Sequence, residues 1–150
     1  MLVTYDWGEA FVALNLILKP MIDELILSCT SDLALGQEDH LLGRIFYSLN
    51  EDCQWHRQWS QALTETVIED TATNREVIQG WIDKWYGSAL NAVAAFSPIF
   101  EGKPAGPQVP PFRDIGSRID AFCAEWLRSM NLQPGASLTP GVNQSSARAR

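Results

Sequence analysis

Histidine and cysteine are scarce in this chain of 150 residues, with two of the first and three of the second. Cys29, Cys53 and Cys123 are odd in number and far apart. That spacing argues against a disulfide framework or a Cys-rich zinc site, and suits a reducing cytoplasm. Basic residues are also few, 11 against 18 acidic ones for a net charge of −7. They are scattered, so no basic stripe exists to displace counterions from a nucleic acid. No positively charged lead precedes an apolar run at the N-terminus, and a secretory signal is not expected. The longest apolar run, Phe11 to Leu18, holds Asn15 and is followed by Lys19, Pro20, Asp23 and Glu24. It is too short and too interrupted to cross a bilayer. Gly-rich phosphate loops, serine nucleophile elbows and paired-cysteine metal knuckles are all missing. No segment alternates with the period of a strand. These gaps leave a cytoplasmic protein with neither nucleic acid nor membrane as partner.

What is present is the material of a helical domain. Hydrophobic residues make up 46% of the chain and include six tryptophans, enough to bury a core at this length. Asp6-Trp7-Gly8-Glu9 has the form of a capping box, opening a first helix that is apolar nearly all round and so calls for neighbours on every side. Pro20 should kink it, with Met21, Ile22, Leu25 and Ile26 extending the apolar face. A second helix is predicted from about 37 to 69. Its stripe is Leu42, Ile45, Phe46, Leu49, Cys53, His56, Ser60, Leu63 and Val67, in steps of three and four. A third helix opens at Thr73-Asn74-Arg75-Glu76, another capping-box pattern. Its inward face reads Val77, Ile78, Trp81, Ile82, Trp85, Ala89, Ala92, Val93 and Phe96. Trp81 and Trp85 are expected to carry more stability than any polar residue. Residues 101–113, EGKPAGPQVPPFR, hold four prolines and read as an extended crossing segment. A short helix follows at about 117–130, with Ile119, Phe122, Cys123, Trp126 and Leu127 inward. Residues 133–150 are rich in Pro, Gly, Ser and Ala, and are expected to be a disordered tail. The fold class is all-α: three long antiparallel helices and one short one, spanning 1–132.

Candidates for chemistry are few. His40 follows Glu38 and Asp39 and reads as part of a solvated first turn. His56 shares a helical turn with Asp52 and Cys53. Carboxylate-bridged di-iron bundles use single glutamates plus Glu-x-x-His pairs pointing inward. Here the pair reads Cys53-Gln54-Trp55-His56, with a thiol where the carboxylate belongs. A thiol on an apolar face usually acts as a small hydrophobe, and His56 reads first as a core histidine held by a neighbouring polar group. Glu9 is either an inward carboxylate or the N3 member of the capping box.

These residues resemble a known family. Tyr5-Asp6-Trp7-Gly8-Glu9-Ala10-Phe11-Val12-Ala13-Leu14-Asn15, Lys19-Pro20 and Asp23 look like the second half of the hydroxylase beta (small) subunit of bacterial multicomponent di-iron monooxygenases. So do Asp52-x-x-x-His56-Arg57-x-Trp59-Ser60, Asn74-Arg75 and Trp81-Ile82-Asp83-Lys84-Trp85. The propane and phenol/toluene branches are nearer than the methane branch. The resemblance covers about residues 3–130. It implies a ferritin-like bundle, present in part, since family members carry a comparable helical half ahead of this region; the chain is expected to be a fragment or a truncated product. It also implies an oxidoreductase complex that hydroxylates small hydrocarbons or aromatics. The di-iron centre would lie in a partner alpha subunit, with a gamma subunit, a reductase and an effector protein in the wider system. In that frame Glu9, Cys53 and His56 are degenerate ligand positions, and this chain is a scaffold with no catalytic, cofactor or metal residue of its own. Two other classes stay open: a free-standing acidic helical adaptor, and a metal-binding bundle enzyme using Glu9, Asp52 and His56.

Overall fold

The computed structural model of the chain describes residues 6–100 and 114–136. The crossing segment 101–113, residues 1–5 and most of the expected tail lie outside the described residues. Among the described residues there are helices and no strand, so the all-α expectation holds.

The first helix, α1, runs continuously over 7–36. Asp6 caps it, its Oδ1 accepting from the Gly8 amide at 2.7 Å and the Glu9 amide at 3.4 Å. Gly8 has no Cβ that would crowd the Trp81 ring, 3.2 Å from where that atom would stand. At Pro20, where a kink is expected, the local change is a switch of hydrogen-bond spacing. Val12–Leu18 is a π-helix whose last turn closes with the Lys19 amide donating to the Leu14 carbonyl. Proline lacks an N–H, and its ring collides with the carbonyl four residues back in an α-helix. The wider turn just before Pro20 suits that misfit. A second π-helix, Asp23–Ser28, follows.

Helix α2, His40–Asp70, is capped by Asp39 accepting from the Leu42 amide. Helix α3, Ala72–Ala94, starts after one extended residue, Thr71, whose hydroxyl caps it by accepting from the Asn74 amide. The cap thus falls two residues before the Thr73 cap read from sequence. A single 3-10 turn at Ser97–Ile99 ends this arm. Helix α4, Ile115–Ser129, is capped by Asp114 in the left-handed region at φ 51°.

Cross-helix contacts set the directions. Ser31 meets Gly43, and Phe11 meets Trp59, so α1 and α2 are antiparallel. Tyr86 meets Asp120 and Arg75 meets Asn131, so α3 and α4 are antiparallel. Glu9 meets Lys84 near the start of α1, while Leu25 and Val93 share a groove further along, so α1 and α3 are parallel. The bundle is up-down-up-down with α1 at its centre. Leu16, Ile17, Met21, Ile82, Tyr86 and Ile119 have no exposed surface and form the core.

Two faces differ from the sequence expectation. On α3 the fully buried aromatic is Tyr86, while Trp81 and Trp85 are partly buried beside the core and Val77 and Phe96 are exposed. On α2 the buried side is Gly43, Arg57, Ser60, Thr64 and Ile68. The expected inward residues Leu42, Ile45, Leu49 and Val67 are exposed by 40, 47, 45 and 37%. The helix is turned by roughly one residue step, about 100°, so that its polar stripe meets α1 and its apolar stripe faces out.

Residues 133–136, at the start of the expected tail, lie along α3. The Gln133 amide donates to Gln79 Oε1 at 2.9 Å, and Gln79 Nε2 returns a bond to the Gln133 carbonyl. Gly135 is required there: a Cβ would stand 2.7 Å from Tyr86 Cβ and 3.1 Å from the Ile82 carbonyl.

Candidate functional site

The polar stripe of α2 meets α1 in a buried ionic cluster. Asp23 is its centre. Lys19, one turn earlier on α1, donates through Nζ to both Asp23 carboxylate oxygens at 2.8 and 2.9 Å. Arg57 of α2 donates through Nη1 to Asp23 Oδ2 at 3.1 Å. Both Asp23 and Arg57 side chains are under a tenth exposed. The Arg57 guanidinium also lies 5.5 Å from the centre of the Phe122 ring on α4. Lys19 donates a third bond, to Cys53 Sγ at 3.3 Å. Its ammonium is held above the ordinary lysine range by Asp23 and Cys53, whose pull outweighs burial, the largest single influence and one that acts the other way.

The three ligand-like positions are not brought together around a common point. Glu9 faces α3, where its Oε1 accepts from Lys84 Nζ at 2.6 Å and from Trp85 Nε1 at 2.7 Å. These bonds, that to Lys84 first, hold the carboxyl below the usual glutamate range. Cys53 faces the Lys19 ammonium. His56 is half-buried, its ring centre 6.0 Å from that of Trp59, and its buried Nδ1 has no hydrogen-bond partner. The expectation that a neighbouring polar group holds it is not met at that nitrogen. Glu24, further along α1, is taken by Arg118, which also reaches Asp32.

A di-iron centre needs carboxylates with charge to spare, converging with histidines. Here each inward carboxylate of α1 is already matched by an organic cation, and two cations share Asp23, so the cluster carries surplus positive charge. A dication brought beside it would be repelled. The residues present do not fit the group. Among the described residues, no three or more His, Cys, Asp or Glu stand together as a metal site.

One cleft of about 210 Å³ opens between α1, α2 and α3, lined by Trp7, Phe11, Leu63, Val67, Ile78 and Trp81 among others. Its polar members are committed elsewhere: Asp6 caps α1 and Thr64 donates to the Ser60 carbonyl.

Sequence reasoning gave no role to Lys19, Asp23 or Arg57. The i,i+4 spacing of Lys19 and Asp23 is a readable ion-pair signal. Arg57 is 34 residues from Asp23, and nothing local announces that pairing.

The cysteines differ in ways a reagent can read. Burial pushes the Cys29 thiol up to about 11 and the Cys123 thiol up to about 12. Thiolate is the reactive form. Iodoacetamide at pH 8 should therefore label partly exposed Cys53 and leave Cys29 and Cys123 intact until the chain is unfolded. Peptide mass spectrometry reads the result, and early labelling of Cys123 would show that α4 does not close the core.

Comparison with known proteins agrees with the resemblance in the sequence. The profile of the family described as Methane/Phenol/Alkene Hydroxylase matches residues 1–71. The chain is 42% identical over 95 residues to the toluene-4-monooxygenase system hydroxylase component subunit beta of Ectopseudomonas mendocina. That alignment covers 63% of this chain and 29% of the relative, so the chain spans under a third of the length of the protein it matches. No solved structure matches it. Through residues 1–71 the chain resembles the methane/phenol/alkene hydroxylase family, and over 95 residues it is similar to a hydroxylase beta subunit.

Proposed function

We propose that this chain acts as a non-catalytic, scaffolding part of the hydroxylase component of a multicomponent monooxygenase. The di-iron centre would reside in a partner alpha subunit, and the complex would act on small aromatics or hydrocarbons of the toluene, phenol or propane type. The observation that carries this reading is the neutralised interior. Lys19 and Arg57 hold Asp23, Lys84 holds Glu9, and Arg118 holds Glu24. Charges that a metalloenzyme would spend on iron serve here to tie helices together. Similarity to a hydroxylase beta subunit supports the same assignment. The outward apolar stripe of α2 supports assembly with a further chain, since large apolar patches mark interaction sites.

Two measurements test it. After anaerobic iron loading and desalting, the chain should retain no stoichiometric iron. Co-expressed with a hydroxylase alpha subunit of this family, it should co-purify. About two irons per chain would sink the scaffold reading in favour of the metal-binding enzyme. Failure to co-purify, with no iron bound, would leave the acidic adaptor.

A further inference from the structure

The cleft between α1, α2 and α3 deepens from an exposed rim to a buried floor. Val12 and Thr64 on the floor are each 2% exposed. Phe11, Leu63 and Trp81 are partly buried and form the sides, while Val67 and Trp7 stand at the rim. Small residues leave the space unfilled: Gly8 on α1 has no side chain, and Thr64 on α2 has a short one. The aromatic walls are held in place by contacts of their own. The Trp81 ring lies 3.2 Å from where a Gly8 Cβ would stand, so it closes directly against the backbone of α1. Phe11 meets Trp59 edge to face, with ring centres 6.0 Å apart and planes at 75°.

Those walls present almost no polar surface. The Asp6 carboxylate accepts from the Gly8 and Glu9 amides, and the Thr64 hydroxyl donates to the Ser60 carbonyl. A held water needs about two to four polar partners, which this lining does not supply. An apolar cavity of about 150 Å³ stays dry and takes up benzene. This cleft measures about 210 Å³. It has room for a single ring and none for a helix, whose diameter with side chains is about 10 Å or more.

We infer that this cleft binds one small, uncharged hydrocarbon ring of the benzene class. Burial of the ring's apolar surface supplies the affinity. The faces and edges of Phe11 and Trp81 favour an aromatic ring over an aliphatic one of the same size. The inference goes beyond the scaffold reading, because it gives the chain a ligand site of its own. It stands whether or not the chain joins a hydroxylase.

Fluorobenzene is the probe, followed by the broadening of its fluorine NMR signal on titration with the full chain. Saturable broadening is expected. Fluoropyridine should bind about tenfold more weakly, since its ring nitrogen would leave water without gaining a donor. Val67→Trp, at the rim, should fill the cleft and abolish the broadening with the helical circular dichroism unchanged. Leu63→Trp serves as a second variant should the first lose helicity. Ala92→Trp, in the separate groove between α1 and the end of α3, should leave binding as it is. No broadening with the wild-type chain would overturn the proposal, because a side chain of the protein itself would then occupy the space. So would equal affinity for the two rings, binding retained in both filling variants, or binding lost in Ala92→Trp. None of these results depends on iron content or on co-purification with an alpha subunit, so this site and the scaffold reading can fail separately.

Discussion

Truncating Tyr86 to alanine should destabilise the folded chain by about 3–5 kcal/mol, the usual cost of removing a large buried aromatic. Tyr86 has no exposed surface and lies in the cluster formed by α1, α3 and α4. Its hydroxyl donates to Asp120 Oδ1 at 2.6 Å, and burial together with that bond pushes the phenol well above the ordinary tyrosine range. The ring therefore joins α3 to α4 through both packing and a hydrogen bond. Tyr86→Phe keeps the packing and should cost about 1–2 kcal/mol, the penalty for leaving a part-buried acceptor without its donor. Trp85→Ala should cost less than Tyr86→Ala, because Trp85 is only partly buried and meets solvent-exposed Lys84. Denaturant melts of the three variants rank them. A loss at Tyr86→Ala below about 1 kcal/mol, the level of a surface substitution, would show that α3 is rotated from the face described.

Asp23→Ala should have an effect of similar size. It leaves the Arg57 guanidinium buried without its carboxylate, and removing one partner of a buried ion pair costs about 3–5 kcal/mol. Lys19 suffers less, since its side chain is 32% exposed and its stem can carry the ammonium into water. Arg57→Ala should be milder than Asp23→Ala, because Lys19 still neutralises the carboxylate from the other side. The pairing is also replaceable. Asp23→Leu combined with Arg57→Met should lie within about 1 kcal/mol of wild type, as exchange of buried ion pairs for well-packed apolar residues often does. If Asp23→Ala and Arg57→Ala cost the same, Lys19 does not share the load. If the double variant is as unstable as Asp23→Ala, the cluster contributes more than the desolvation of its members allows.

The sequence alone determined the helical content, the number of long helices and most of their limits. These are local properties: Asp6 before an apolar run marks a helix start, and 3.6-residue periodicity marks a face. Even so, α3 begins at a cap provided by Thr71 in place of Thr73, because two helices can be joined by one extended residue and no pattern advertises so short a break. The family resemblance was legible for a similar reason, since consecutive residues such as Trp7-Gly8-Glu9-Ala10 are compared directly without knowing what they touch. What only the tertiary structure decided is which neighbour each face meets. The stripe from Leu42 to Val67 is apolar enough to be buried, yet of its members only Ser60 is fully inward, and Gly43, Arg57 and Thr64 turn inward beside it, because Asp23 on α1 demands a cation and the apolar stripe is left for another surface. Glu9 satisfies both readings of its sequence position until Lys84 and Trp85, some 75 residues away, claim its carboxylate. Periodicity states that a face is apolar or polar; the identity of its partner is a long-range fact, fixed by burial and charge balance across helices that are adjacent only in the folded chain.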